Sequence, residues 1–143
     1  MKIEKLQRAD LALYKQLIDK CFDGSNSIEE YKKYDDSPDA PYEIIVAKDD
    51  GIIVGAATYY KMELFTFSFQ PTLEIFNVAV LKEYRGQKIA KTLMEKIIEY
   101  AKANGYKSIN LTCLDYATAA HRLYESVGMV RTSSFKYNLP LDS

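Results

Sequence analysis

With 143 residues, 48% of them hydrophobic and 27% charged, the chain has the size and composition of one globular domain, residues 1–143, able to bury its own core. A formal net charge of −1 excludes the global positive field that would hold nucleic acid or an anionic membrane, so any anion site has to be local. Cys21 and Cys113 lie far apart without a C-x-x-C partner, which argues against a zinc or redox motif and for free thiols in a reducing, cytoplasmic compartment.

Lys2-Ile3-Glu4-Lys5-Leu6 mixes polar with apolar residues and reads as a short strand; it leads to no apolar run of signal-peptide or membrane-span length. Residues 9–21 carry Leu11, Leu13, Leu17, Ile18 and Cys21 at helical spacing. Residues 22–41 are polar and contain two prolines, a loosely specified connection with a short helix around 28–34. Two β-rich runs, 42–47 and 52–60, flank Asp50-Gly51, a strong hairpin signal that predicts antiparallel pairing. Phe65, Phe67 and Phe69 alternate with Thr66 and Ser68 before Pro71, either extending that strand or forming an edge. Residues 73–80 read as a buried strand. A long amphipathic helix follows, with Ile89, Leu93, Met94, Ile97, Ile98 and Ala101 on one face and Asn104-Gly105 as its stop. A strand over 108–114, a helix over 117–127 ended by Gly128, and a last strand within 129–139 complete the order.

Chemistry concentrates where the 73–80 strand runs into the long helix. Lys82, Arg85, Lys88 and Lys91 cluster there in a slightly acidic chain, beside Gly86. A helix start offers unpaired N–H groups and about half a positive charge, so this turn is either a phosphate site or a solvated basic helix end. No G-x-x-x-x-G-K-[ST] loop is present, and no G-x-G-x-x-G follows a strand, which sets aside nucleoside triphosphate and dinucleotide binding.

Residues 78–90, Val78-Ala79-Val80-Leu81-Lys82-Glu83-Tyr84-Arg85-Gly86-Gln87-Lys88-Ile89-Ala90, resemble the acetyl-coenzyme A motif of the GNAT superfamily of N-acetyltransferases, [QR]-x-x-G-x-[GA]. Arg85 fills the first position and Ala90 the last, and Lys88 stands where the central Gly is usual. Residues 117–129 are similar to the family's later N-x-x-A-x-x-[LF]-Y-x-x-x-G-[FM] element, with Ala120, Leu123, Tyr124 and Gly128 matching and Ala117 in place of Asn. The resemblance implies an α/β (α+β) fold: a mixed, mostly antiparallel sheet of six to seven strands flanked by about four helices, splayed between its fourth and fifth strands, the strand of Val78 and the strand of Leu111. Acetyl-CoA, as co-substrate, would lie in that gap against Val78, Ala79, Val80, Arg85, Gly86, Gln87, Lys88, Ile89, Ala90 and Lys91. Backbone groups of Val78 and Val80 would pair with the pantetheine.

The same resemblance implies a transferase that moves an acetyl group to a primary amine by direct attack in a ternary complex, without a metal. It points to Tyr124 as the acid that protonates the departing thiolate and to Glu74 as general base, acting directly or through water; read by strand parity, Glu74 shares a face with Phe76, Val78 and Val80. A backbone N–H near Val78 would hold the polarised thioester oxygen. His121, the single histidine, suits neither a metal site nor a triad. The acceptor is a small-molecule or peptide amine; Tyr31, Tyr34, Tyr59 and Tyr60 are candidates to line its pocket, and the acidic residues of 29–39 either attract a cationic amine or are solvated loop charge. No nucleic acid or membrane partner is expected. Related proteins often pair as homodimers through sheets or C-terminal strands. The other reading is a non-catalytic acyl-CoA sensor, motivated by Lys88 and Ala117.

Overall fold

The computed structural model describes residues 1–65 and 70–142. Their strands form one sheet in the order β1-β2-β3-β4-β5: β1 Lys2–Lys5, β2 Tyr42–Asp49, β3 Ile52–Glu63, β4 Pro71–Val80 and β5 Ser108–Asn110. The helices are α1 Leu11–Cys21, α2 Ile28–Tyr31, α3 Ile89–Ala103 and α4 Thr118–Ser126. β1 to β4 pair antiparallel and β5 joins β4 in parallel, the mixed sheet that the resemblance implies.

Local chemistry explains the elements that set the frame. Asp50 and Gly51 both take positive φ, 52° and 78°, as a two-residue turn between the paired residues Asp49 and Ile52 requires. α3 lies close against β3 at Gly55, where an added Cβ would sit 2.8 Å from the Ile89 side chain. Its buried stripe of Ile89, Leu93, Met94, Ile97 and Ala101 matches the predicted face, and Tyr100 meets Tyr59 across the same layer. α1 covers the opposite face of the sheet, burying Leu11, Tyr14 and Leu17.

The strand count differs from the six to seven expected. Among the described residues there are five strands, and 129–139 forms none. A strand needs a free ladder to join, and β5 leaves the sheet after Asn110, short of the predicted 114. The alternating segment Thr66–Phe69 lies outside the described residues. No helix among the described residues is long and apolar enough to cross a membrane.

The polar connection 22–41 is more tightly held than its composition suggests. Tyr34 is buried and its hydroxyl donates to the Leu6 carbonyl at 2.8 Å. Arg8 donates to the Tyr34 and Lys32 carbonyls, the latter at 3.2 Å, and Lys5 reaches the Asp36 carbonyl at 2.8 Å. These contacts pin the connection over one end of the sheet.

Candidate active site

β4 and β5 pair only through Thr72, Leu73 and Glu74, opposite Ser108, Ile109 and Asn110. Beyond Glu74 the two strands separate, so among the described residues no strand pairs with the β5-side edge of β4 from Ile75 to Val80. On its other side β4 carries one residue more than β3 between the pairs Phe76↔Thr58 and Ala79↔Ala56. This bulge places Asn77 in the left-handed region at φ 56° and takes Asn77 and Val78 out of the β3 ladder. Main-chain groups at the bulge therefore face a gap instead of a strand.

That gap opens into a cavity of about 520 Å³ bounded by β4, the turn before α3, the start of α3 and one face of α4. α3 begins without any side-chain cap and without an acidic residue in its first turn. Arg85, Lys88 and Lys91 line the cavity at that end. Open N–H groups, the helix dipole and three cations together make an anion cradle. Tyr124 also lines the cavity; its pKa is raised by burial first and by the neighbouring Cys113 second, so it keeps its proton at neutral pH.

A second cavity, about 220 Å³, sits between α1, α2 and the sheet. Its walls include Tyr14, Tyr31, Tyr34, Tyr42 and Tyr60, with Thr58 and Asn77 at the sheet. Asn77 lines this cavity and Val78, the next residue, lines the first, so the two spaces adjoin across the β4 bulge. One cavity holds an anion cradle, the other is aromatic, and main-chain groups freed by the bulge lie between them.

A sequence model of the acetyltransferase (GNAT) family matches residues 11–129. The chain belongs to the GNAT acetyltransferase family. N-acetylaspartate synthetase of Danio rerio is 39% identical to it over 70 residues, 48% of this chain and 25% of that protein. The chain thus spans about a quarter of the length of that relative. An acetyltransferase of Trypanosoma brucei superposes with a TM-score of 0.82 at 23% identity, over 98% of this chain and 99% of the other. Glucosamine-6-phosphate N-acetyltransferase of Arabidopsis thaliana gives 0.82 at 22% identity, over 99% and 98%. At such identities the likeness to the two structures is one of fold.

In this GNAT chain the first cavity gathers Val78, Ala79, Val80, Arg85, Gly86, Lys88, Ile89, Ala90 and Lys91 together with Tyr124. Gln87 and Glu74 are not among its lining residues. Lys88 is the N-cap of α3 and adopts φ 62°, ψ 23°, the left-handed conformation that explains why Gly is usual there. Glu74 lies opposite Tyr60, and its carboxylate accepts from the Asn110 side chain at 3.4 Å. The bulge corrects the parity read from the sequence: Glu74 and Phe76 face the same side as Tyr60 and Thr58, whereas Val80 pairs with Gly55 and so faces α3. An extra residue in β4 shifts every side chain after it to the other face.

Sequence reasoning missed Cys21 and Phe22 at the end of α1, and Arg122 and Ser126 on α4, all of which line the first cavity. The helical spacing of Ala119, Arg122, Leu123 and Ser126 is a signal that was available; α1 reaches the site only through tertiary packing. The Val80 carbonyl already accepts from Arg85 Nε at 3.2 Å and from Cys21 Sγ at 3.6 Å. His121 points its Nε2 at the Leu114 carbonyl, 2.9 Å away, and plays its part in joining α4 to the segment after β5. Of the four tyrosines proposed for the acceptor pocket, Tyr31, Tyr34 and Tyr60 line the second cavity; Tyr59 faces α3 instead, against Tyr100.

Proposed function

We propose that residues 1–143 form one N-acetyltransferase domain that transfers the acetyl group of acetyl-CoA to a primary amine by direct attack in a ternary complex. The observation that carries this reading is the meeting of an anion-cradling cavity and an aromatic one across the Asn77–Val78 bulge. The donor supplies an acetyl thioester; the chain supplies position, charge and protons. The open N-terminus of α3 with Arg85, Gly86, Lys88 and Lys91 holds the pyrophosphate, and Ile89 and Ala90 line the channel. The unpaired edge of β4 at Val78, Ala79 and Val80 takes the pantetheine as an added strand. For Val80 to accept from that ligand, Arg85 exchanges the Val80 carbonyl for phosphate. A main-chain N–H at the bulge polarises the thioester oxygen.

An alkylamine of pKa near 10.4 is neutral once in a few thousand molecules at pH 7, a contribution of roughly 4 to 5 kcal/mol to the barrier. Glu74 lowers that contribution by accepting the proton. It lies three residues from Asn77, about 10 Å along the strand, so a chain of waters carries the proton to it. Tyr124, neutral because it is buried, donates to the departing thiolate. The two free cysteines fit a reducing, cytoplasmic setting. Two copies pair through the C-terminal segment, where Phe135, Tyr137, Leu139 and Leu141 alternate and stand 79–94% exposed. Covering that face removes about 600–800 Å² per copy from water, near the half-share of a standard interface.

Calorimetric titration with acetyl-CoA, followed by thiol release against a panel of amines, tests the reading. Binding with amine-dependent release is the expected result. Binding with no release for any amine would instead support the acyl-CoA sensor, and no binding would remove both.

A further inference from the structure

The acceptor class follows from the chemistry of the smaller cavity, and this step rests on the acetyltransfer reading above. We propose that the tyrosine-walled cavity takes a compact primary amine built on a single uncharged aromatic ring, and rejects acceptors that carry a carboxylate or a phosphate.

Shape and size come first. At about 220 Å³ the space falls below the roughly 300–1,000 Å³ of drug-sized sites and corresponds to about seven waters of liquid. One ring with a short amine arm fits within that space. The walls are rings in contact: Tyr34, Tyr42 and Tyr60 follow one another at centroid distances of 6.2 and 5.4 Å, and Phe76, outside the lining, backs Tyr60 edge to face at 5.5 Å. Tyr14 and Tyr31 meet edge to face at 5.9 Å on the helical side. A flat ligand entering between these layers gains stacked and edge-to-face contacts on both sides.

Charge decides the rest. The two charged side chains in the lining are Glu30 and Lys33, and they pair with each other at 2.9 Å at an exposed position, 58% and 76% accessible. No unpaired cation therefore lines the cavity among the described residues. Burial raises the Tyr34 pKa to about 12, and Asp36 and Glu43 add to that rise. An anionic group brought inside would lose its water without a partner. A protonated amine, in contrast, meets ring faces that attract cations before it gives up its proton.

Polar anchors in the lining are few. The Tyr31 hydroxyl oxygen is buried with no hydrogen-bond partner, an orphan that a ligand amine or hydroxyl would satisfy. Tyr14 shares a hydrogen bond with Thr58, and the Asn77 side of the cavity leads to the bulge. An arm of two or three bonds from the ring carries the amine toward Asn77, where attack on the thioester takes place.

The experiment has two arms. In the first, thiol release at saturating acetyl-CoA is compared for 2-phenylethylamine, L-aspartate and glucosamine 6-phosphate. The ring amine is expected to exceed both anions by roughly 100-fold or more in kcat/KM. Tyr60→Leu, which keeps an apolar side chain at a partly exposed position, is expected to raise KM for the ring amine about tenfold while leaving coenzyme A affinity within twofold. Tyr31→Phe removes only the orphan hydroxyl and is expected to change KM and not kcat. In the second arm, saturation-transfer NMR reads binding of 2-phenylethylamine to the coenzyme A complex without turnover. Ring-amine binding lost in Tyr60→Leu but without thiol release in the wild type supports the acceptor class and overturns acetyl transfer. Preferred turnover of aspartate or the sugar phosphate overturns the acceptor class and leaves the transferase. No binding of the ring amine to the wild-type complex also overturns it.

Discussion

Lys88 is where a local backbone rule and a ligand contact pull in opposite directions, and two substitutions separate them. Its φ of 62° and ψ of 23° place an L side chain in the left-handed region, which costs roughly 1–2 kcal/mol. Glycine removes that strain but gives up roughly 0.5–1 kcal/mol through the greater freedom of the unfolded chain, for a net gain of about 0.5–1 kcal/mol. Alanine keeps the strain. Lys88→Gly is therefore expected to melt about 2–4 °C above Lys88→Ala, with wild type close to the alanine variant. Both variants lose the ammonium that faces the anion cradle, so both are expected to bind coenzyme A up to about fivefold more weakly at low salt, with the difference shrinking as salt rises. The assays are thermal denaturation without ligand and calorimetric titration at two salt concentrations. Equal melting temperatures for the two variants would refute the strain argument. A glycine variant that binds more tightly than wild type would show that the side chain obstructs the phosphate instead of attracting it.

Tyr124→Phe is expected to lower kcat by about 10²-fold or more with coenzyme A affinity nearly intact; an unchanged kcat removes the acid role. Glu74→Gln should slow turnover at pH 7 and recover as pH rises toward the amine pKa, whereas a wild-type pH profile would sink the base assignment. Gly55→Ala drives a Cβ to 2.8 Å from Ile89 and 3.3 Å from the Ala79 carbonyl, so we expect about 1–3 kcal/mol of lost stability in denaturant titration and weaker coenzyme binding as α3 lifts. Tyr34 titrates near 10 in the unfolded chain and about 12 when folded, so stability is level below pH 10 and falls between 10 and 12 as only the unfolded state sheds the proton; alkaline melts compared with Tyr34→Phe check this. Tyr137→Asp should shift a dimer to monomer in light scattering, and a wild type that is already monomeric would dismiss pairing through the tail.

Features that depend on near neighbours along the chain are legible without the fold. The stripe from Ile89 to Ala101 specifies α3 because 3.6-residue periodicity needs no partner to be seen. Asp50-Gly51 announces its hairpin because two positive φ values suit those residues. The basic turn from Arg85 to Lys91, which we propose as the phosphate end, stands out in the sequence because a strand, a Gly and a helix start are contiguous in the chain. Tertiary structure alone decided the rest. The bulge at Asn77 exists only as a count of β4 against β3, and that count, invisible in β4 itself, reversed the face assigned to Val80 relative to Glu74. The tail 129–139 reads as a strand by alternation, yet a strand forms only where another offers free hydrogen-bonding groups, and β5 ends at Asn110. The aromatic cavity joins Tyr14, Tyr31, Tyr42 and Tyr60 from two helices and two strands, and among twelve tyrosines only their packing tells a wall of the site from a part of the core.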